Sequence, residues 1–176
     1  MTISSPPATR TIRKSAVYPY TPADVWTAIT NPHAIAEWLM PNDFQPVLGH
    51  RFIFQTDRNF VCGDVLVKCE VLELDPQRRM VWAWNRVKPD GSLAHTKVTW
   101  ILTPEGQGTR LTLEHEGVER LPFIMRTLMG MGWGGILKDG IIKVLRNVNA
   151  ERFTPGAIPL EKRYYKAKTV PPHLVR

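Results

Sequence analysis

The chain predicts an α+β domain in which a curved antiparallel sheet wraps over one long C-terminal helix. Three observations carry this. A pair of short helices is written between Thr21 and Pro41. Runs of alternating apolar and polar residues, separated by turn residues, follow from Arg51 to Glu116. A last apolar series, Trp133, Ile136, Leu137, Ile141, Val144, Leu145 and Val148, recurs at helical spacing. A sheet curved over one helix encloses an apolar space, and that space is the expected seat of function.

Arg10 to Tyr18 alternates weakly and reads as the first strand. Thr21 is a good N-cap, with Pro22 at the first helical position and Asp24 in the first turn. Val25, Trp26 and Ile29 share one face of that helix. Asn31-Pro32 ends it and starts the next, which carries Ile35, Trp38 and Leu39 and stops at Pro41-Asn42. The strands that follow are Arg51–Gln55, Gly63–Leu74, Met80–Trp84, His95–Leu102 and Thr109–Glu116. Asp75-Pro76-Gln77-Arg78, Pro89-Asp90-Gly91-Ser92 and Pro104 to Gly108 are the turns between them. Gly117 to Gly130 reads as a connection rich in large apolar residues, suited to a gate. The last helix is predicted from about Met131 to Ala150. Beyond it the chain has Pro155, Pro159, Pro171 and Pro172 and no helical period, so it reads as an extended tail anchored by Leu160 and Tyr164-Tyr165.

Composition narrows the functional classes. A chain of 176 residues suits one domain with a sizeable core. No apolar run approaches the roughly 20 residues of a membrane helix. Met1 to Arg10 is polar, without the apolar stretch of a secretory signal, so a cytoplasmic location is expected. The net charge of +7 sits at the ends: +3 in residues 1–14 and +4 in residues 151–176, with a neutral body between. A nucleic-acid-binding domain carries its basic stripe on the folded surface, so no specific nucleic-acid partner is expected. Cys62 and Cys69, seven residues apart, would lie about 23 Å apart in one straight strand. A disulfide needs Cα atoms within about 7 Å, so both are read as thiols. Neither their number nor any histidine pairing has ligand spacing for a metal, and no cofactor motif is present.

The order and spacing of several pieces resemble the bacterial single-domain form of the family named after the activator of the heat shock protein ninety ATPase. The pieces are Pro22-Ala23-Asp24-Val25-Trp26 with Ala28-Ile29-Thr30-Asn31-Pro32, then Trp38, then Phe44 to Phe52. Gly63-Asp64-Val65, Asp75 to Met80 leading into Trp84, Gly108 to Leu113, and Gly132-Trp133 with Leu137 and Leu145 complete it. That family belongs to the START-like, or SRPBCC, superfamily with birch-pollen allergens and polyketide cyclases. The resemblance covers roughly residues 10–150. It implies a helix-grip fold, six or seven strands gripping the C-terminal helix, with two short helices after the first strand. Residues 151–176 are then a Pro-rich basic extension, expected to act as a lid over the cavity mouth or as a strap in a homodimer.

Strand parity nominates the interior wall: Phe52, Phe54, Val67, Trp82, Trp84, Val98, Trp100, Leu113 and His115, with Met125, Trp133, Leu137 and Ile141 closing the other side. Trp38 and Phe44 are placed near the mouth. The pattern fits either a ligand cavity or a solid aromatic core. His115 is the one titratable group expected to face inward, where it could orient a ligand or move a proton, or simply be a bonded interior histidine. Glu114 and Glu116 point outward by parity, and Glu114 is expected to pair with Arg110 or Lys97. Gly130-Met131-Gly132-Trp133-Gly134-Gly135 opens a helix but lacks the lysine and hydroxyl of a phosphate loop, so it reads as close packing. The expected function is non-catalytic binding of an aromatic, lipid-like or polyketide-like molecule. The alternatives are a cyclase- or hydrolase-like enzyme and a co-chaperone or stress-response module.

Overall fold

The computed structural model of the chain describes residues 10–59, 63–163 and 165. Strand β1 (Thr11–Tyr18) is followed by helices α1 (Pro22–Thr30) and α2 (Pro32–Trp38). Five strands then run as a meander: β2 (Arg51–Asn59), β3 (Gly63–Asp75), β4 (Arg79–Val87), β5 (Leu93–Glu105) and β6 (Gly108–Glu116). The sheet is antiparallel throughout, in the order β1-β6-β5-β4-β3-β2. The register of β3 on β4 shifts between Val71 and Glu73, the local bend expected of a bulge in a curved sheet.

The caps act as read. Thr21 Oγ1 accepts from Asp24 N–H at 3.1 Å, and Pro22 takes the position whose N–H would be orphaned. Asn31 serves two helices. Its backbone N–H donates to Thr27 O, and its side-chain oxygen accepts from the N–H groups of His33 and Ala34. At the β4–β5 turn Gly91 has φ +80°, a conformation open to glycine, and the Asp90 carboxylate accepts from Ser92 N and Oγ.

The final helix differs from expectation at both ends. It starts at Phe123, not near Met131, as α3 (Phe123–Gly135). It continues through a π turn (Ile136–Gly140) into α4 (Ile141–Leu145) and stops before Ala150. The glycine run misled because each helical Gly costs only about 1 kcal/mol, which tertiary packing can override. Gly130 lies against Ile12 and Lys14 of β1, and Trp133 plugs into the sheet. The π turn is held from outside: Tyr18 Oη donates to Leu137 O at 2.5 Å, and Gly140 rests on Trp38, where a Cβ would come within 3.2 Å of Trp38 Cβ. The C-terminal end stops because Asn147 turns to bond Thr154. Its carbonyl accepts Thr154 N–H, and its side-chain amide donates to Thr154 O. This closes a small hairpin of β7 (Val148–Asn149) and β8 (Arg152–Phe153).

The extension then folds back onto its own chain. Glu37, 1% exposed on α2, accepts from Gly156 N at 2.6 Å and Ile158 N at 2.7 Å, and lies 3.4 Å from the Arg163 guanidinium. The buried anchor is Ile158, whereas Leu160 is exposed. Tyr164 and Cys62 lie outside the described residues; Cys69 is a buried free thiol whose pKa is raised by burial and by the charge of Asp43. Glu114 pairs with Arg13, not with Arg110 or Lys97. The β1–β6 register sets Arg13 directly opposite Glu114, and the β5–β6 register sets Lys97 opposite Glu116. Arg110 is taken by Glu105. Among the described residues no helix is long and apolar enough to cross a membrane.

Candidate functional site

The space between sheet and helix is divided. On one side it is filled by rings meeting mostly edge to face. Trp38 meets Trp100 at 5.6 Å, Trp100 meets Trp82 at 5.5 Å, and Phe52 packs on Phe44, Phe54 and Trp82 at 5.0 to 5.5 Å. All of these are essentially without solvent exposure. Trp38 and Phe44 therefore lie deep in the core and not at a mouth. Val98, Leu113, Leu137 and Ile141 complete this packed half.

On the other side the rings stop and a pocket of about 560 Å³ opens. Its sheet wall is Val65 and Val67 of β3 and Trp84 and Arg86 of β4, with His115 of β6 behind them. Its helix wall comes from α3: Met125, Leu128, Met129, Met131 and Trp133, with Ile136 in the π turn. Leu39 and Met40, just after α2, close one end, and Tyr165 of the extension sits at the rim. Of the interior residues nominated from sequence, Val67, Trp84, His115, Met125 and Trp133 stand on this wall. Phe52, Phe54, Trp82, Val98, Trp100, Leu113, Leu137, Ile141 and Trp38 stand in the packed half.

Sequence reasoning missed most of the α3 wall because it placed Gly117 to Gly130 in a connection. It missed Arg86 by ending β4 at Trp84; two more residues of the same alternation reach it. Four of the six methionines line the pocket. Unbranched thioethers adapt to irregular shapes, so the wall is apolar but soft.

His115 is fully buried and both ring nitrogens are engaged. Trp133 Nε1–H donates to Nδ1 at 3.0 Å, so Nδ1 carries no proton. Nε2–H then donates to Thr96 Oγ1 at 2.8 Å, and the threonine hydroxyl in turn donates to Trp84 O at 2.6 Å. This chain ties the helix to three adjacent strands. Burial pushes the His115 pKa down to about 4, so the ring is neutral near pH 7. With one nitrogen accepting and the other donating within the protein, it is a strut and has no free lone pair for a substrate. The indole N–H groups of Trp82 and Trp100 have no partner among the described residues.

The geometry fits a known family. A family model for the Activator of Hsp90 ATPase homolog 1-like protein matches residues 19–146. The chain belongs to this family. Among solved structures, this Activator of Hsp90 ATPase homolog 1-like chain is similar to protein MLL2253 from Mesorhizobium loti. That pair shares 32% identity over 80% of this chain and 99% of the other, with TM-score 0.66. It shares its fold with DynU16, described as a putative protein in the dynemicin biosynthetic locus. The identity there is 20%, over 81% of this chain and 49% of that one, with TM-score 0.65. It also shares its fold with the Aha1 dimer of Colwellia psychrerythraea, at 17% identity, 73% and 90% coverage and TM-score 0.57. No match is found among curated proteins.

Proposed function

We propose that this chain binds a hydrophobic small molecule in the pocket beneath α3 without transforming it. The observation that carries this reading is the pocket itself, about 560 Å³ walled by Met, Leu, Val and Trp side chains. That size and lining are those of small-molecule sites, which are mostly apolar with a few oriented polar groups. The binding reading is supported over a reaction by His115, whose two nitrogens are spent on Trp133 and Thr96. An aromatic, lipid-like or polyketide-like molecule suits this apolar lining.

Trp84 and Trp133 stand on the wall, so tryptophan fluorescence reports occupancy directly. Native mass spectrometry of freshly purified protein, followed by titration with hydrophobic aromatics and lipids, should give a copurifying mass or saturable quenching. Met129→Trp, which fills the pocket from α3, should abolish both while leaving the protein folded. Quenching that survives a filled pocket would place the ligand elsewhere, and no binding across the panel would refute the reading.

A further inference from the structure

The outer face of α3 is apolar and turned to solvent. Phe123, Ile124, Leu128 and Met131 are all exposed, the first two at 71% and 70%. At about 100° per residue these four fall within an arc of about 140°, opposite the face that carries Met129 and Trp133 inward. From Leu121 to Lys138 the chain has two bases, Arg126 and Lys138, and no acid. A helix that is apolar all round belongs in an apolar environment, so this face calls for a cover.

Area and charge together point to what covers it. Four partly exposed side chains of this kind offer on the order of 400 Å², about half of what each partner buries in a stable protein pair. That is small for a second copy of the chain. The groove between β1 and the end of the helix is lined by Lys14 and Lys138 and, among the described residues, by no carboxylate. The Lys14 stem runs beside α3: a Cβ added at Gly130 would stand 3.9 Å from Lys14 Cε. The nearest acids along the chain are Asp139 and Glu119, and one carboxylate oxygen of Glu119 is buried. An exposed apolar ridge edged by lysines matches the boundary of an anionic bilayer, where apolar side chains enter the acyl region and ammonium groups meet phosphates.

We propose that α3 docks on an anionic lipid surface, with Phe123 and Ile124 inserted and Lys14 and Lys138 at the headgroups. The 13 residues of α3 extend about 20 Å, so the helix lies on the bilayer and does not span it. Leu128 and Met131 also line the pocket, so docking turns the pocket toward the lipid. The docking itself needs no ligand and stands or falls separately from the binding reading.

The test is co-sedimentation of the full chain with sucrose-loaded vesicles of phosphatidylcholine alone or with one part in three phosphatidylglycerol, in about 0.1 M salt. The chain should bind the anionic vesicles about tenfold or more tighter than the neutral ones. Phe123→Ser with Ile124→Ser should abolish binding without lowering the melting temperature, since both side chains are exposed. Lys14→Gln with Lys138→Gln should weaken it about tenfold or more, at roughly fivefold for each lysine near the surface. Met129→Trp, which fills the pocket, should leave it unchanged. No sedimentation with anionic vesicles, or equal sedimentation with neutral ones, overturns the proposal. Binding that survives the double serine variant comes from the basic ends of the chain and overturns α3 as the surface. A chain that instead dimerises at micromolar concentration, and loses the dimer in the serine variant, assigns the face to a second copy and overturns the proposal too.

Discussion

The His115 strut makes stability depend on pH in a window set by its own pKa. An unfolded histidine titrates near 6.5, and burial takes His115 in the folded chain to about 4. Between those values the unfolded state binds the proton and the folded state does not. Stability contributed by neutral burial is therefore fully present above pH 6.5, lost as pH falls toward 4, and level below it. At about 1.4 kcal/mol per unit over roughly 2.5 units, the full loss is about 3.5 kcal/mol, of which about 3 kcal/mol is reached by pH 4. Urea unfolding at intervals from pH 8 to pH 4 measures it, with His115→Leu as the reference. Every other titrating group is shared, so the difference between the two stability curves isolates this residue. His115→Leu starts lower because it strands the Trp133 N–H donor and leaves Thr96 Oγ1 without the N–H it accepts, but the gap to wild type should shrink by about 3 kcal/mol toward pH 4. A constant gap would mean that His115 is solvated or already charged in the folded chain. It would also reopen the ring as an acid or base.

Three further predictions follow from packing. Glu37→Gln removes the charge that Gly156, Ile158 and Arg163 converge on; stability should fall by about 2–4 kcal/mol, and trypsin should cut after Lys162 or Arg163 far sooner. An unchanged urea midpoint and cleavage rate would refute the latch. The helical glycines should respond with opposite signs: Gly134→Ala meets nothing within 4 Å and should stabilise by about 0.5–1 kcal/mol, whereas Gly140→Ala drives a Cβ onto Trp38 and should destabilise by about 1–2 kcal/mol. Thermal melts of both variants check this. Tyr165→Ala opens the rim of the pocket and should raise the dissociation rate of a bound ligand several-fold by stopped-flow fluorescence, with little change in melting temperature.

Much of the fold is local in origin and so was legible along the chain. Thr21 and Asn31 cap with their own side chains, Gly91 needs its own φ, and the inward series Val65, Val67, Cys69 and Val71 follows from a period of two. None of these requires knowing what lies across the molecule. The aromatic interior was legible for the same reason, because parity says which face a side chain takes. Parity does not say how two faces meet. Only the tertiary structure decided that Phe52, Trp82 and Trp100 close on Trp38 and leave no room, while Trp84 and Trp133 border a pocket. Only it decided that the final helix runs on through its glycines, since β1 at Gly130 and Trp38 at Gly140 supply contacts that offset their low propensity. The carboxylate of Glu37 reads as an ordinary helix-surface acid until the backbone of residues 156 and 158, more than a hundred positions away, arrives to bond it. Arg86 stands between these cases: alternation could have put it on the inner face, but that this face is open there depends on the volumes of residues brought together from six separate parts of the chain.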